Sequence, residues 1–241
     1  MKKWLVLALL SFSLPIVHAQ ETYDLSPEVI NSAPSRSTYY ISDSFFSLNA
    51  SEFLEKADRT KPVVIHLHGC GGVSFYDNDL KSFYTKMGMN FVMTNFLKRS
   101  DTRASCYLDN GRLVYTANKM ARGQARTLEM ERHISWLREN GFERIILTGH
   151  SEGGSMVQMV NSTVDKVVIH STGCLLGIFV SNPNNKFLQL VSTNDSQLKG
   201  IMGTLTCSTS ENVRVITTSI SSHHPLADAQ WKSEIQKFLS Q

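Results

Sequence analysis

The sequence lacks any run of lysine and arginine long enough to form a polyanion site, and its charge is nearly balanced. Its 24 Lys and Arg residues stand against 21 Asp and Glu residues, for a formal net charge of +3, and two of the positive charges belong to Lys2 and Lys3. Three arginines (Arg122, Arg126 and Arg132) lie along a predicted helix beside acidic residues, which favours a solvated helix face. We therefore expect no nucleic-acid partner.

Long apolar runs are also missing beyond the N-terminus. Residues 1–19 combine two lysines, an apolar run over 4–14 and the small-residue site Val17-His18-Ala19, which predicts a secretory signal and a mature chain from Gln20. The apolar run is short for a membrane span, and nothing later is long enough. We expect a periplasmic or secreted protein that does not insert into a membrane after signal cleavage. An uncleaved anchor is the alternative.

A C-x-x-C pair is absent, so a zinc knuckle has no support. The four cysteines (Cys70, Cys106, Cys174 and Cys207) all follow the predicted signal. An even number in an exported chain favours disulfides, for which three pairings are possible.

Strand-like and helix-like patterns alternate along most of the chain. Residues 20–37 predict an extended lead-in, and 38–241 a single domain that opens with an edge hairpin at 38–48. The other predicted strands cover 62–68, 90–97, 145–148, 166–170, 186–192 and 212–220, and a polar loop carries Cys106 and Gly111. The predicted helices cover 79–87, 119–140 and 226–239, with a short one at 51–57 that begins at a serine cap. This alternation predicts the α/β class, with a mostly parallel central sheet between two helical layers.

One stretch has the pattern of a nucleophile elbow. The β-like run from Ile145 to Thr148 leads into G-x-S-x-G at 149–153, followed by a helix-compatible segment. Such a strand-to-helix turn exposes the serine hydroxyl. A Cβ at Gly149 or Gly153 would collide with the crossing chain. The alternative is an ordinary glycine-rich turn.

Three residue types with complementary chemistry follow three of the predicted strands. In open parallel sheets, ligands bind beyond the C-terminal strand ends. That rule places Ser151, Asp195 and a histidine, His223 or His224, at one edge in the order Ser, Asp, His. The serine would be the nucleophile, the histidine its base, and the carboxylate the group that orients the imidazole.

His223 is the favoured base, with His224 as the alternative. Adjacent side chains in an extended segment point apart, and Pro225 restricts His224 to extended geometry. The pair His66 and His68 has neither a carboxylate nor a third histidine nearby in pattern, so we predict packed or structural roles for both and no metal site.

Backbone N–H groups are predicted to stabilise the developing oxyanion. One belongs to Glu152, after the nucleophile, and the other to Cys70 in the glycine-rich turn, with Gly71 as second choice. The stretch from Ser151 to Asp195 has no room for a helical lid, which predicts an open site for small or flexible acyl substrates, or for the end of a larger molecule. Candidate substrate-binding residues are Phe75, Tyr76 and Tyr107, although loop aromatics are as often packing residues.

Together these motifs resemble the α/β-hydrolase superfamily, and within it the dienelactone-hydrolase-like proteins. The resemblance covers about residues 60–240 through H-G-C-G-G at 68–72, G-x-S-x-G-G at 149–154, Asp195 and the histidine before the last helix. Two departures stand out. Dienelactone hydrolases use a cysteine nucleophile where this chain has Ser151, so lactone specificity is not implied, and Ser192 replaces the usual glycine before the acid loop.

The predicted strand ends favour the sequential disulfides, Cys70–Cys106 and Cys174–Cys207. The predicted function is cleavage of an ester or thioester, through an acyl-enzyme and without a cofactor, of a small-molecule acyl substrate. A peptidase or amidase on the same scaffold and a non-catalytic binding protein are the alternatives. The sequence does not set the oligomeric state.

Overall fold

The computed structural model describes residues 37–42, 46–95, 106–109, 112–115, 119–172, 182–195, 211–224, 226 and 228–241. The strands are β1 (Thr38–Tyr40), β2 (Val63–Leu67), β3 (Asn90–Met93), β4 (Cys106–Asp109), β5 (Arg112–Tyr115), β6 (Ile145–His150), β7 (Lys166–His170), β8 (Phe187–Ser192) and β9 (Val213–Thr218). The helices are α1 (Ala50–Lys56), α2 (Phe75–Lys86), α3 (Lys119–Glu139), α4 (Glu152–Val157) and α5 (Ala229–Leu239).

Seven of the described strands form one sheet in the order β1-β3-β2-β6-β7-β8-β9. Strand β1 runs antiparallel to β3, and the other neighbouring strands of this sheet are parallel. The central strands β2 and β6 are buried along their whole length. Their near-continuous apolar sequences are typical of strands covered on both faces. The predicted mostly parallel sheet is therefore confirmed.

Helices cover both faces of the sheet, since successive side chains of a strand point to opposite sides. On one face, Ile65 packs in a core with Phe53 of α1 and Leu137 of α3. On the other face, Val64 packs in a second core with Leu80 of α2 and Trp231 of α5. Among the described helices, none is long and apolar enough to cross a bilayer.

Two helices begin earlier than the sequence predicted. Helix α1 is capped by Asn49, not by a serine, because Asn49 and Glu52 form a reciprocal capping box with bonds of 3.0 and 2.9 Å. Helix α2 is capped at Ser74, where Asp77 accepts the Ser74 N–H at 2.6 Å. The aromatic residues Phe75 and Tyr76 therefore lie in a helical first turn and not in a loop.

The predicted polar loop around Cys106 is wrong, since β4 and β5 pair there as an antiparallel hairpin from Cys106↔Tyr115 to Asp109↔Arg112. The sequence between them is Asn110-Gly111, the strongest short hairpin signal, and the flanking residues alternate in character. The predicted edge hairpin consists of β1 and a single bridge from Tyr39 to Leu48.

Candidate active site

Ser151 lies in the sharp turn between β6 and α4 with a strained backbone. Its φ of 54° and ψ of −121° are rare for a residue with a side chain. Its N–H donates to the carbonyl of His170 at 2.9 Å, and its own carbonyl accepts from Gly154 N–H at 3.0 Å. These bonds fix the turn that the G-x-S-x-G pattern predicted.

The two glycines of that pattern allow backbone segments to cross closely. A Cβ at Gly149 would lie 2.3 Å from the carbonyl oxygen of Gly153, and one at Gly153 would lie 2.2 Å from that of Leu67. The predicted collision with the crossing chain is confirmed. Because these atoms belong to the backbone, a larger residue could fit only if the backbone moved. Helix α4 therefore starts directly against the end of β2.

His223 bonds to the predicted acid. Its Nδ1–H donates to Oδ2 of Asp195 at 2.6 Å, and both side chains are largely buried, at 7% and 0% exposure. The carboxylate accepts from Nδ1, which leaves Nε2 of His223 as the basic nitrogen. Of the two candidate histidines, His223 thus has the partner that a catalytic base requires.

His224 points to a different partner. Its Nδ1 accepts from the N–H of Leu226 at 3.0 Å, so its Nε2 carries the hydrogen donated to Asp79 at 2.9 Å. Its ring also packs against Tyr76 and Phe75, with centroids 4.5 and 5.7 Å away. His224 therefore braces the loop after β9 against α2.

His150 joins the elbow to the loop that carries His223. Its Nε2–H donates to the carbonyl oxygen of His223 at 3.0 Å, and the two ring centroids are 4.9 Å apart. Burial, and then the neighbouring His223, lower the pKa of His150 to about 3, so it is neutral at pH 7. A Cβ at Gly69 would lie 3.3 Å from Cβ of Ser151, so the glycine-rich turn after β2 also packs against the elbow.

The turn after β2 holds one of its peptides in a fixed orientation. The carbonyl of Gly69 accepts from Nδ1–H of His68 at 2.6 Å and from N–H of Gly72 at 3.2 Å. Burial, and then the nearby Arg126, lower the pKa of His68 to about 3. In a planar trans peptide the N–H points opposite to the carbonyl, so the N–H of Cys70 is directed away from these two donors.

A disulfide joins this turn to the β4–β5 hairpin. Cys70 and Cys106 are bonded, with Cα atoms 5.4 Å apart, as the sequence predicted. The second predicted pair, Cys174 and Cys207, lies outside the described residues.

On the sequence prediction that the Cys70 N–H is an oxyanion donor, reduction of the Cys70–Cys106 bond is expected to slow turnover more than it weakens substrate binding, because the bond restrains the turn that carries this N–H. Losing one oxyanion donor outright typically costs about 10²–10³-fold in kcat, and loosening it should cost about 10-fold or less. Ester hydrolysis measured before and after reduction, with thiols counted, checks this. Unchanged kinetics with all four thiols free would contradict it.

The candidate substrate-binding residues lie in two elements. Phe75, at the start of α2, is 63% exposed, and the neighbouring Tyr76 contacts the ring of His150 edge-on at 5.6 Å. Tyr107 lies in β4, directly after the disulfide-bonded Cys106.

A buried hydrogen bond between His66 and Asp77 fixes the first turn of α2. Nε2 of His66 lies 2.7 Å from Oδ1 of Asp77, whose other oxygen accepts from the N–H and hydroxyl of Ser74. Burial alone would raise the pKa of Asp77, but the bonds from His66 and Ser74 outweigh it and hold this pKa well below its usual range. No group of three His, Cys, Asp or Glu residues in the described part of the chain could hold a metal ion.

The predicted solvated face of α3 is wrong at Arg126. This side chain is only 5% exposed, and its Nη1 lies 2.7 Å from Oε2 of Glu152, while Nη2 donates to the carbonyl of His68. The missed signal was its spacing, four residues before the buried Met130 and in line with Ile134. The carboxylate of Glu152 is thus directed into the protein.

The chain is similar in fold to solved structures of esterases. No protein-family model and no curated protein sequence matches the chain. Similar solved structures include esterase PE8 (16% identity, 75% of this chain and 92% of that chain, TM-score 0.53). The Pyrococcus furiosus esterase Pf2001 is also similar, at 18% identity over 76% of this chain and 84% of that chain, with a TM-score of 0.51. Est1E from Butyrivibrio proteoclasticus is similar at 10% identity over 85% of this chain and 94% of that chain, with a TM-score of 0.54.

The chain therefore has the α/β-hydrolase fold that the sequence predicted. The narrower likeness to dienelactone-hydrolase-like proteins stays a prediction from the sequence motifs. Between β6 and β8, the described elements are helix α4 and strand β7, and neither of them forms a lid.

Proposed function

We propose that this chain is a serine hydrolase that cleaves an ester or thioester of a small acyl substrate. The observation that carries the proposal is the buried His223–Asp195 hydrogen bond, tethered through His150 to the strained turn at Ser151. The similar solved structures described as esterases support the same class of chemistry.

The roles of the residues follow from their bonds. Ser151 attacks the acyl carbon while Nε2 of His223 takes its proton, and Asp195 stabilises the imidazolium through Nδ1–H. The N–H groups of Glu152 and Cys70 stabilise the oxyanion. His223 then protonates the leaving group, and a water molecule, activated by the same imidazole, releases the acyl group from Ser151.

Backbone strain at Ser151 favours a catalyst over a binding protein that merely keeps the fold. A non-glycine residue in such a conformation costs on the order of 1–3 kcal/mol, and strain of this kind concentrates at functional sites. The exposed Phe75 and adjacent Tyr76 favour apolar acyl or alcohol groups over a peptide backbone, which would need paired hydrogen-bond partners.

We also propose that the protein acts outside the cytosol. The signal-like residues 1–19 support this, and so does the Cys70–Cys106 disulfide, since such bonds persist in oxidising compartments.

A fluorophosphonate probe is expected to label wild-type protein and to fail on Ser151→Ala. Ser171→Ala is the matched control, because Ser171 is a buried serine at the end of the adjacent strand, also with positive φ, of 49°. Labelling that persists in Ser151→Ala, or that disappears only in Ser171→Ala, would reject the proposed nucleophile. Nitrophenyl esters of increasing chain length, compared with aminoacyl amides, then separate an esterase from a peptidase.

A further inference from the structure

Arg126 joins the two backbone segments that the proposed hydrolase needs for its oxyanion hole. Arg126 lies on α3, where its Nη1 donates to the carboxylate of Glu152 and its Nη2 donates to the carbonyl oxygen of His68. Glu152 follows the nucleophile, and His68 begins the turn that carries Cys70. We infer that Arg126 is a positioning residue that sets the separation and orientation of the oxyanion donors, an inference that rests on the proposed function.

Two successive peptides of the turn are each fixed through their carbonyl oxygens. Arg126 binds the oxygen of His68, and the His68 imidazole binds the oxygen of Gly69 at 2.6 Å. Because the N–H of each planar peptide points opposite to its carbonyl, these bonds set the directions of the N–H groups of Gly69 and Cys70. The orientation of the predicted donor thus depends on a bond one peptide earlier, made by Arg126.

The contact with Glu152 fixes the other side of the hole. The side chains of Arg126 and Glu152 are 5% and 4% exposed, so the pair is shielded from water and keeps its geometry. At Gly153 the backbone already lies against the carbonyl of His68, since a Cβ there would be 2.6 Å from that oxygen. The guanidinium spans the remaining gap between α4 and the turn.

An arginine is required for this bridge because its donors form a rigid planar fork. A lysine carries the same charge, but its compact ammonium has no fixed fork with which to hold both acceptors in one geometry. Stability alone is a weak reason for the pair, since apolar residues of similar volume are often as stable as a buried ion pair.

Two variants test the bridge. Arg126→Lys keeps the charge, and the double variant Arg126→Met/Glu152→Gln removes both charges, so that no unpaired charge is left buried. Arg132→Met is the matched control on the same helix, because Arg132 pairs with Glu129 at 3.7 Å, outside the proposed site. Each folded variant is assayed for kcat and KM on a nitrophenyl ester, and for inhibition by an alkyl boronic acid, whose tetrahedral adduct places an oxygen in the oxyanion hole.

Both variants are expected to lower kcat about 10–100-fold, because a misplacement of about 1 Å costs about 10²-fold, while KM changes about 3-fold or less. Boronate affinity should fall in parallel with kcat, and Arg132→Met should match wild type. A merely structural role would lower thermal stability without a larger effect on kcat than on KM, and that result would overturn the inference. Wild-type boronate affinity in both variants would also overturn it. Wild-type protein without turnover or labelling at Ser151 would instead overturn the proposed function, and this inference with it.

Discussion

Asp195→Asn is expected to lower kcat about 10⁴-fold while leaving the fold intact. The carboxylate accepts from Nδ1–H of His223 at 2.6 Å, so the lone pair of Nε2 remains free to take a proton. An asparagine amide that turns its N–H₂ toward Nδ1 favours the opposite tautomer, in which Nε2 already carries a hydrogen. The imidazole then cannot act as a base toward Ser151.

The chain supplies a matched control for this variant. Asp79 accepts from His224 at 2.9 Å, so Asp79→Asn alters a similar histidine–carboxylate bond one residue away from His223. Its effect on kcat should be small, because that histidine braces a loop and its Nδ1 is already bonded to the N–H of Leu226. Steady-state hydrolysis of a nitrophenyl ester by both variants measures the difference. A large loss in Asp79→Asn with activity kept in Asp195→Asn would transfer the role of base to His224.

The parts of the candidate site that could be predicted from the sequence are those whose positions are set by strand ends. Ser151, Asp195 and His223 each follow a strand of a parallel sheet, and parallel strands bring their C-terminal ends to one edge. The elbow could also be predicted, because the close backbone contacts at Gly149 and Gly153 leave no room for a side chain. Both inferences use local patterns together with one rule of topology.

Features that depend on long-range packing could not be read in this way. Arg126 and Glu152 are 26 positions apart, and only the crossing of α3 over the turn after β2 brings them together. A charged residue among other charged residues predicts a solvated surface, although its helical spacing to Met130 indicated burial. The separate partners of His223 and His224 likewise required the positions of Asp195 and Asp79 in three dimensions.

The free energy of unfolding is expected to fall steeply as the pH drops from about 6.5 toward 4. Burial is the largest cause that lowers the pKa of three histidines, to about 3 for His68 and His150 and about 4 for His133. In the unfolded chain each histidine takes up a proton near pH 6.5. Between these limits these three histidines together bind about three more protons in the unfolded state than in the folded state, so the stability that they contribute is complete above about pH 6.5 and is lost as the pH falls.

The expected slope is steep because each such histidine contributes up to about 1.4 kcal/mol per pH unit, or about 4 kcal/mol per unit for the three. Asp77 has a lowered pKa and adds a loss only below its unfolded value of 3.8. Denaturant titrations at several pH values between 7.5 and 4.5 measure this slope. His133→Gln should remove about one third of it without altering ester hydrolysis, because His133 bonds to Ser37 and to the backbone of its own helix, at Glu129. A free energy of unfolding that stays level from pH 7 to pH 5 would mean that these imidazoles are not held neutral by burial.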